Sequence, residues 1–140
     1  MEYRYVLKEG VLTLKDYKKG LEVVSYEGED IYLTVPEKIP VEAGEGGEDG
    51  LEKPVIPIGK KAMLSRKSLR RVILPETIEE VGDWAFAYCD ALREVVLPEK
   101  EIRFGKGIFR ECGRVKSVSV RGKHQDVGAL LAAAVTLLDT

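Results

Sequence analysis

Two cysteines and a single histidine are the residues of this 140-residue chain best suited to nucleophilic or metal chemistry. Cys89 and Cys112 lie 23 positions apart (112 − 89). His124 and Asp126 follow them as a conceivable acid–base pair. No Gly-x-Ser-x-Gly, His-Glu-x-x-His or phosphate-binding loop accompanies these residues, and a zinc site would need more ligands. We therefore expect no enzyme, no cofactor and no metal. The cysteines are interpreted as buried thiols, with a disulfide as the alternative.

A glycine-rich acidic stretch occupies residues 41–53, at the start of the segment 41–57. Its carboxylates could in principle bind calcium, but their spacing differs from the Asp-x-Asp-x-Asp-Gly pattern of a calcium loop. The sequence predicts a solvated insertion loop followed by a short lead-in. The carboxylates are Glu42, Glu45, Glu48, Asp49 and Glu52.

Six cations lie close together after this loop. Such a cluster can bind a phosphate, an acidic protein or nucleic acid, or it can be a solvated face that pairs with the acidic loop. Without interleaved aromatic residues or a nucleic-acid motif, the pattern argues against nucleic acid. The cations are Lys60, Lys61, Arg66, Lys67, Arg70 and Arg71.

The net charge and the first residues of the chain indicate which broad class of protein this is. Lys and Arg number 22 against 24 Asp and Glu, which gives a net charge of −2 and argues against a globally basic nucleic-acid binder. The start of the chain lacks the apolar core of a signal peptide, and no apolar run is long enough to span a bilayer. We therefore expect a cytoplasmic location, or the cell surface if the chain is a fragment of an exported protein.

The residues discussed so far lie in or around a repeated sequence unit, which must determine their positions in the fold. The pairs Ile58-Gly59, Val81-Gly82 and Phe104-Gly105 recur every 23 residues (81 − 58 and 104 − 81). Each is followed by an apolar pair, Ala-Phe in the middle unit, and then by a Leu-x-x-Val-x-Leu pattern. A fixed period of this length predicts a stacked solenoid, because one unit cannot bury its apolar face alone.

The alternation in each unit predicts a short strand, and strands of successive units are expected to pair in parallel. The segment around Ala85-Phe86 is expected to form one to three helical turns packed against this sheet. If Val72, Leu74, Val95 and Leu97 point inward, the intervening side chains form two outward ladders. These ladders are Arg71/Glu94/Ser117 and Ile73/Val96/Ser119, and they are the predicted partner-binding residues.

The motif Ile-Gly-x-x-Ala-Phe-x-x-Cys-x-x-Leu-x-x-Val-x-Leu-Pro, clearest over residues 81–98, resembles the BspA-like bacterial leucine-rich repeats. The resemblance covers residues 58–120, with departures at Met63, Arg66 and Arg121. It implies a curved parallel-sheet solenoid and a role in protein binding or adhesion. It brings no catalytic residues.

The sequence thus predicts an α/β leucine-rich-repeat solenoid with four segments: an N-terminal β cap or degenerate first repeat (1–40), the acidic loop and lead-in (41–57), three repeats (58–122), and a C-terminal capping or association helix (123–140). We expect a non-catalytic module that binds a partner protein through the outward strand face. The alternatives are self-association or docking through the C-terminal helix, and anion binding by the basic first repeat.

Overall fold

The computed structural model describes residues 2–41, 51–115 and 117–120, the last four through their backbone alone. Within these ranges the chain forms strands and turns, and no helix. The strands are β1 (Glu2–Val6), β2 (Gly10–Tyr17), β3 (Gly20–Gly28), β4 (Tyr32–Thr34), β5 (Lys38–Pro40), β6 (Glu52–Ile58), β7 (Arg71–Ile73), β8 (Glu80–Val81), β9 (Glu94–Leu97), β10 (Arg103–Phe104) and β11 (Ser117–Val120).

Two parallel ladders run along the repeats. In the first, β4, β7, β9 and β11 pair in sequence. In the second, β6, β8 and β10 pair so that Ile58, Val81 and Phe104 share one register position. Equivalent residues of successive units thus lie side by side, which confirms the predicted parallel-sheet solenoid.

The expected helical turns of each repeat are wrong for the described residues. The segments around Ala62-Met63, Ala85-Phe86 and Ile108-Phe109 form turns instead. Their backbone N–H groups donate to carbonyl oxygens of the next repeat: Lys61 to Asp83 (2.9 Å), Met63 to Ala85 (2.8 Å), Ser65 to Ala87 (2.8 Å), Trp84 to Lys106 (2.8 Å), Phe86 to Ile108 (3.0 Å) and Tyr88 to Arg110 (2.7 Å). An N–H that points to the neighbouring repeat cannot donate to the carbonyl four residues back, as a helix requires.

Left-handed backbone conformations make this turn ladder possible. They recur at equivalent places in each unit, in one column of Lys61, Trp84 and Gly107 and a second column of Ser65, Tyr88 and Glu111, with φ between 55° and 61°. A left-handed residue interrupts the helical geometry at every turn. The turns therefore become a third hydrogen-bonded layer between the repeats.

The core lies between the two strand ladders and the turns. Phe86 and Phe109, from adjacent repeats, stack with their ring centroids 5.8 Å apart and their planes 18° apart. Both rings are almost completely buried, as are Met63, Leu69 and Leu92. Stacked equivalent side chains of this kind supply most of the apolar burial in a solenoid.

The first 28 residues contribute three antiparallel strands at the start of this array. β1 pairs with β2 and β2 pairs with β3, with a bulge near Thr13-Leu14. β3 also pairs in parallel with β6, so that Val23 lies opposite Ile58. The antiparallel strands thereby continue the second ladder and place Leu12, Leu14 and Leu21 in the common core.

The acidic loop lies largely outside the described residues, which resume at Leu51. Its two ends are held together, because β5 pairs antiparallel with β6 and the Val41 N–H donates to the Leu51 carbonyl at 2.8 Å. Glu52–Ile58 is a regular strand. The C-terminal helix predicted over residues 123–140 lies entirely outside the described residues.

A buried polar network fixes the corner between β3 and β4. The Tyr26 hydroxyl donates to Asp30 Oδ2 at 2.8 Å and accepts the Asp30 N–H at 2.8 Å. The Glu9 N–H donates to Asp30 Oδ1 at 2.9 Å, and Ser68 Oγ donates to the Asp30 carbonyl at 2.9 Å. Each polar group of this buried corner therefore has a partner, as burial requires.

Replacing Tyr26 with phenylalanine is expected to change the alkaline stability of the protein. Burial, followed by the hydrogen bond to Asp30, raises the pKa of Tyr26 to about 12. In an unfolded chain the pKa of tyrosine is about 10. Because the native state holds the proton more tightly, this contribution is complete below pH ~10 and is lost as the pH rises through ~12.

Urea unfolding at a series of pH values checks this expectation. Tyr26→Phe should be less stable by about 1–2 kcal/mol near pH 8, because two groups of Asp30 lose their partner. Above pH ~10 it should lose less stability than the wild type. Tyr32→Phe is the matched control, because Tyr32 is 72% exposed. Parallel pH profiles of Tyr26→Phe and the wild type would contradict the assignment.

Candidate functional site

The outward face of β4, β7, β9 and β11, hereafter the strand face, contains the residues predicted to bind a partner. Arg71, Glu94 and Ser117 occupy one register position of successive strands, and Ile73, Val96 and Ser119 occupy another. Arg71 Nε lies 3.0 Å from Glu94 Oε1, across the two strands. The structure thus brings the six residues together in two rows, and for Ser117 and Ser119 this placement rests on the backbone.

The expectation that Val96 is an exposed aliphatic residue is wrong, because only 7% of it is accessible. Val96 lies on a central strand, between Ile73 on one side and the register position of Ser119 on the other. Neighbouring strands lie about 4.8 Å apart, so flanking side chains cover much of a short β-branched residue. The exposed part of the strand face is therefore more polar than predicted.

Sequence reasoning missed the first strand of this face. In β4, Tyr32 lies opposite Arg71, and Thr34 lies opposite Ile73. Tyr32 is strongly exposed and extends the Arg71/Glu94/Ser117 row by one position. The alternation of residues 31–35 does indicate a strand. Its parallel partner, however, lies 39 residues away (71 − 32) rather than one repeat of 23, so the period could not reveal the pairing.

The six clustered cations do not form one surface. Lys67 Nζ lies 2.8 Å from Asp90 Oδ2 and donates to the Tyr88 carbonyl at 2.8 Å. Arg71 belongs to the strand face. Lys60 and Lys61 instead lie over the Trp84 ring, with Nζ 5.8 Å and 5.1 Å from the ring centroid. Four of the six cations are thus divided among three local environments.

A surface pocket of about 430 Å³ opens between the turns, hereafter the turn pocket. Trp84 and Tyr88 are 38% and 42% exposed. Neither residue was predicted from the sequence to be functional, although the positions of both in the repeat carry a signal. The position of Trp84 is taken by Lys61 and Gly107 in the flanking repeats, and the position of Tyr88 by Ser65 and Glu111. Aromatic residues at such exposed positions are unusual. The pocket is lined by Lys61, Leu64, Trp84, Tyr88 and Arg110.

The two cysteines are free and buried. Cys89 Sγ donates to the Met63 carbonyl and Cys112 Sγ donates to the Phe86 carbonyl, each at 3.0 Å. The interaction with the Cys112 side chain, followed by burial, raises the pKa of Cys89. A buried thiol that keeps its proton is a poor nucleophile. His124 lies outside the described residues, among which no group of three potential metal ligands occurs.

The sequence of this array matches a known family. The sequence model described as a BspA type leucine rich repeat region (6 copies) matches residues 50–135, which is more than half of the chain. The chain belongs to the BspA-type leucine-rich-repeat family. This membership agrees with the parallel ladders and the 23-residue period.

Solved structures of leucine-rich-repeat proteins are similar to this chain. A leucine rich cell surface protein from Faecalibacterium prausnitzii is 20% identical with a TM-score of 0.60, and the match covers 84% of this chain and 31% of that one. The Leucine Rich Repeat protein of T. pallidum is 23% identical with a TM-score of 0.49, covering 91% of this chain and 69% of that one. At these identities the likeness shows the fold alone. The chain spans less than a third of the first protein.

The sequence of this BspA-type chain was also compared with curated proteins. No curated protein matches it at a significant level. In the described part of the chain there is no helix that is long and apolar enough to cross a membrane. The expected cytoplasmic location gains no support from the solved relatives, one of which is described as a cell surface protein.

Proposed function

We propose that this chain is a non-catalytic interaction module that binds a partner protein through the strand face. The observation that carries this proposal is the continuous in-register ladder of four strands, which aligns Tyr32, Arg71 and Glu94 in one row. A regular array of parallel strands gives a solenoid an extended surface of the kind that repeat proteins use for binding.

The composition of the row suits a protein partner. Tyr32 offers an exposed aromatic residue on the strand next to Arg71, at the same register position. Tyrosine and arginine are enriched among residues that dominate binding energy. The side chains of Arg71 and Glu94 are 46% and 34% exposed, so their ion pair is solvated at its edge. A solvated pair of this kind contributes little to folding and remains available to a partner.

Location at the bacterial cell surface is part of the proposal. It was the alternative raised by the sequence if the chain is a fragment of an exported protein. Its support is the description of the Faecalibacterium prausnitzii structure as a cell surface protein, which shares this fold.

A double variant, Tyr32→Ala with Arg71→Ser, is expected to weaken partner binding at least about tenfold, which corresponds to ~1.4 kcal/mol. The partner would first be captured with the wild-type chain, and its affinity for each variant would then be measured by calorimetry. The reason for the loss is removal of two exposed side chains from the proposed interface.

Arg103→Ser provides a matched control. Arg103 also forms a cross-strand ion pair, with Nη2 3.7 Å from Glu80 Oε2, but it lies on the other parallel ladder. This variant should bind within about twofold of the wild type if the pair has no role in the interface. Wild-type affinity in a folded double variant, or an equal loss in Arg103→Ser, would refute the assignment to the strand face.

A further inference from the structure

The turn pocket has the dimensions of a small-molecule site. Its volume of about 430 Å³ lies within the range of roughly 300–1,000 Å³ that is usual for ligand pockets. Leu64 and Tyr88 give it an apolar wall, and Lys61 and Arg110 add two cations. None of its lining residues belongs to the strand face, so a ligand here would act independently of the proposed partner site.

The charges in the pocket lack acidic partners among the described residues. Lys61 contacts the Trp84 ring, and neither Lys61 nor Arg110 forms an ion pair within that part of the chain. Two acidic side chains of the middle repeat are engaged elsewhere, since Asp90 pairs with Lys67 and Asp83 Oδ1 accepts the Lys106 N–H at 2.8 Å. The pocket therefore presents a local positive charge that an anion would neutralise.

The two aromatic residues of the pocket occupy unfavourable backbone positions. Trp84 and Tyr88 have φ values of 55° and 61°, whereas the next repeat has Gly107 in the column of Trp84. A left-handed conformation costs a bulky residue roughly 1 kcal/mol or more. Packing explains Trp84 in part, because its ring covers Gly107 of the next repeat. Tyr88 is 42% exposed, and in the described part of the chain no such contact with a neighbouring repeat accounts for its ring. Strained aromatic residues at a surface opening are typical of a binding site.

We propose that the turn pocket binds an acidic sugar, with the sugar carboxylate between Lys61 and Arg110 and the C–H face of the ring on Tyr88 and Leu64. The openness of the site favours a sugar over an aromatic acid. An apolar ligand gains affinity by being almost fully enclosed, whereas a sugar keeps several hydroxyl groups in water and needs only one apolar face covered. The lysine and arginine select the charged sugar over a neutral one.

Titration with glucuronate, followed by the fluorescence of Trp84, tests the proposal directly because Trp84 is the only tryptophan. We expect a saturable change that weakens with added salt, and no comparable change with glucose or acetate. Lys61→Gln and Arg110→Gln should each weaken glucuronate binding about tenfold through loss of a charge-assisted contact.

Tyr88→Asn separates binding from folding. Asparagine tolerates the left-handed conformation, so this variant should be at least as stable as the wild type to urea and yet bind glucuronate about tenfold more weakly. Lys67→Gln, which removes a neighbouring cation that is already paired, should bind within about twofold of the wild type.

Several results would overturn the assignment. These are the absence of a saturable response to glucuronate, an equal response to acetate, which would indicate a simple anion site, and an equal response to glucose. Unchanged affinity in both Lys61→Gln and Arg110→Gln would also overturn it. None of these outcomes bears on the strand face, so the two proposals stand or fall separately.

Discussion

Replacing Phe86 with alanine is expected to lower the free energy of unfolding by about 3–5 kcal/mol, the cost of a large cavity at a fully buried aromatic position. Phe86 is 1% exposed and stacks on Phe109 of the next repeat. The ring therefore contributes to two units at once. Because each repeat is stabilised mainly by its neighbours, the array has little capacity to collapse around the missing ring.

Equilibrium unfolding in urea, followed by circular dichroism, measures this loss. Phe104→Ala is the control, since Phe104 lies on the last strand of the second parallel ladder and is 37% exposed. It should cost less than half as much, because less apolar surface leaves water there on folding. Equal losses in the two variants would show that the stacked aromatic pair is not the centre of the core.

Replacing Gly82 with alanine is expected to cost about 2–3 kcal/mol, in the upper part of the range for overpacking. A Cβ atom at Gly82 would lie 2.7 Å from the Lys60 nitrogen and 3.0 Å from the Gly59 carbonyl carbon. These are backbone atoms of the preceding repeat and cannot move aside as a flexible side chain can. The added methyl group would therefore separate two stacked turns.

Gly113→Ala is the matched substitution, because no atom lies within 4 Å of a Cβ built at that position. It should leave stability unchanged or raise it slightly by reducing the entropy of the unfolded chain. Thermal melting of both variants tests the contrast. A melting temperature for Gly82→Ala at or above that of Gly113→Ala would mean that the turns do not approach as closely as described.

The sequence predicts the repeated part of the fold well, for a physical reason. Recurrence of Ile58, Val81 and Phe104 reports directly on stacking, since equivalent positions of a solenoid face the same neighbours. The same argument gives the register of Arg71 with Glu94. It fails at β4, because the spacing from Tyr32 to Arg71 includes the acidic loop and conceals the period.

The conformation between the strands was harder to predict. An Ala-Phe pair fits a helix as well as a turn, and neither hydrophobicity nor length distinguishes them. The left-handed backbone of Lys61, Trp84 and Tyr88 makes these segments turns and not helices. It could not be predicted, because these residue types rarely adopt that conformation. The turn pocket was missed for this reason, since its aromatic residues meet only when the turns of successive repeats stack.

The turn ladder gives the array a polarity. All of its bonds run one way, from the N–H groups of one turn to the carbonyl oxygens of the following turn, although the strand ladders donate in both directions. Within the turn ladder, loss of a later repeat would leave the N–H groups of Trp84, Phe86 and Tyr88 without acceptors, whereas loss of an earlier repeat would leave only unfilled carbonyls. On the second strand ladder the direction is reversed, since the Gly82 N–H donates back to the Ile58 carbonyl. In a protein interior, a carbonyl without a hydrogen-bond donor is tolerated better than an N–H without an acceptor. The turn of each repeat thus depends more on the turn after it than on the one before, so loss of a late turn should loosen the turn layer backwards along the array.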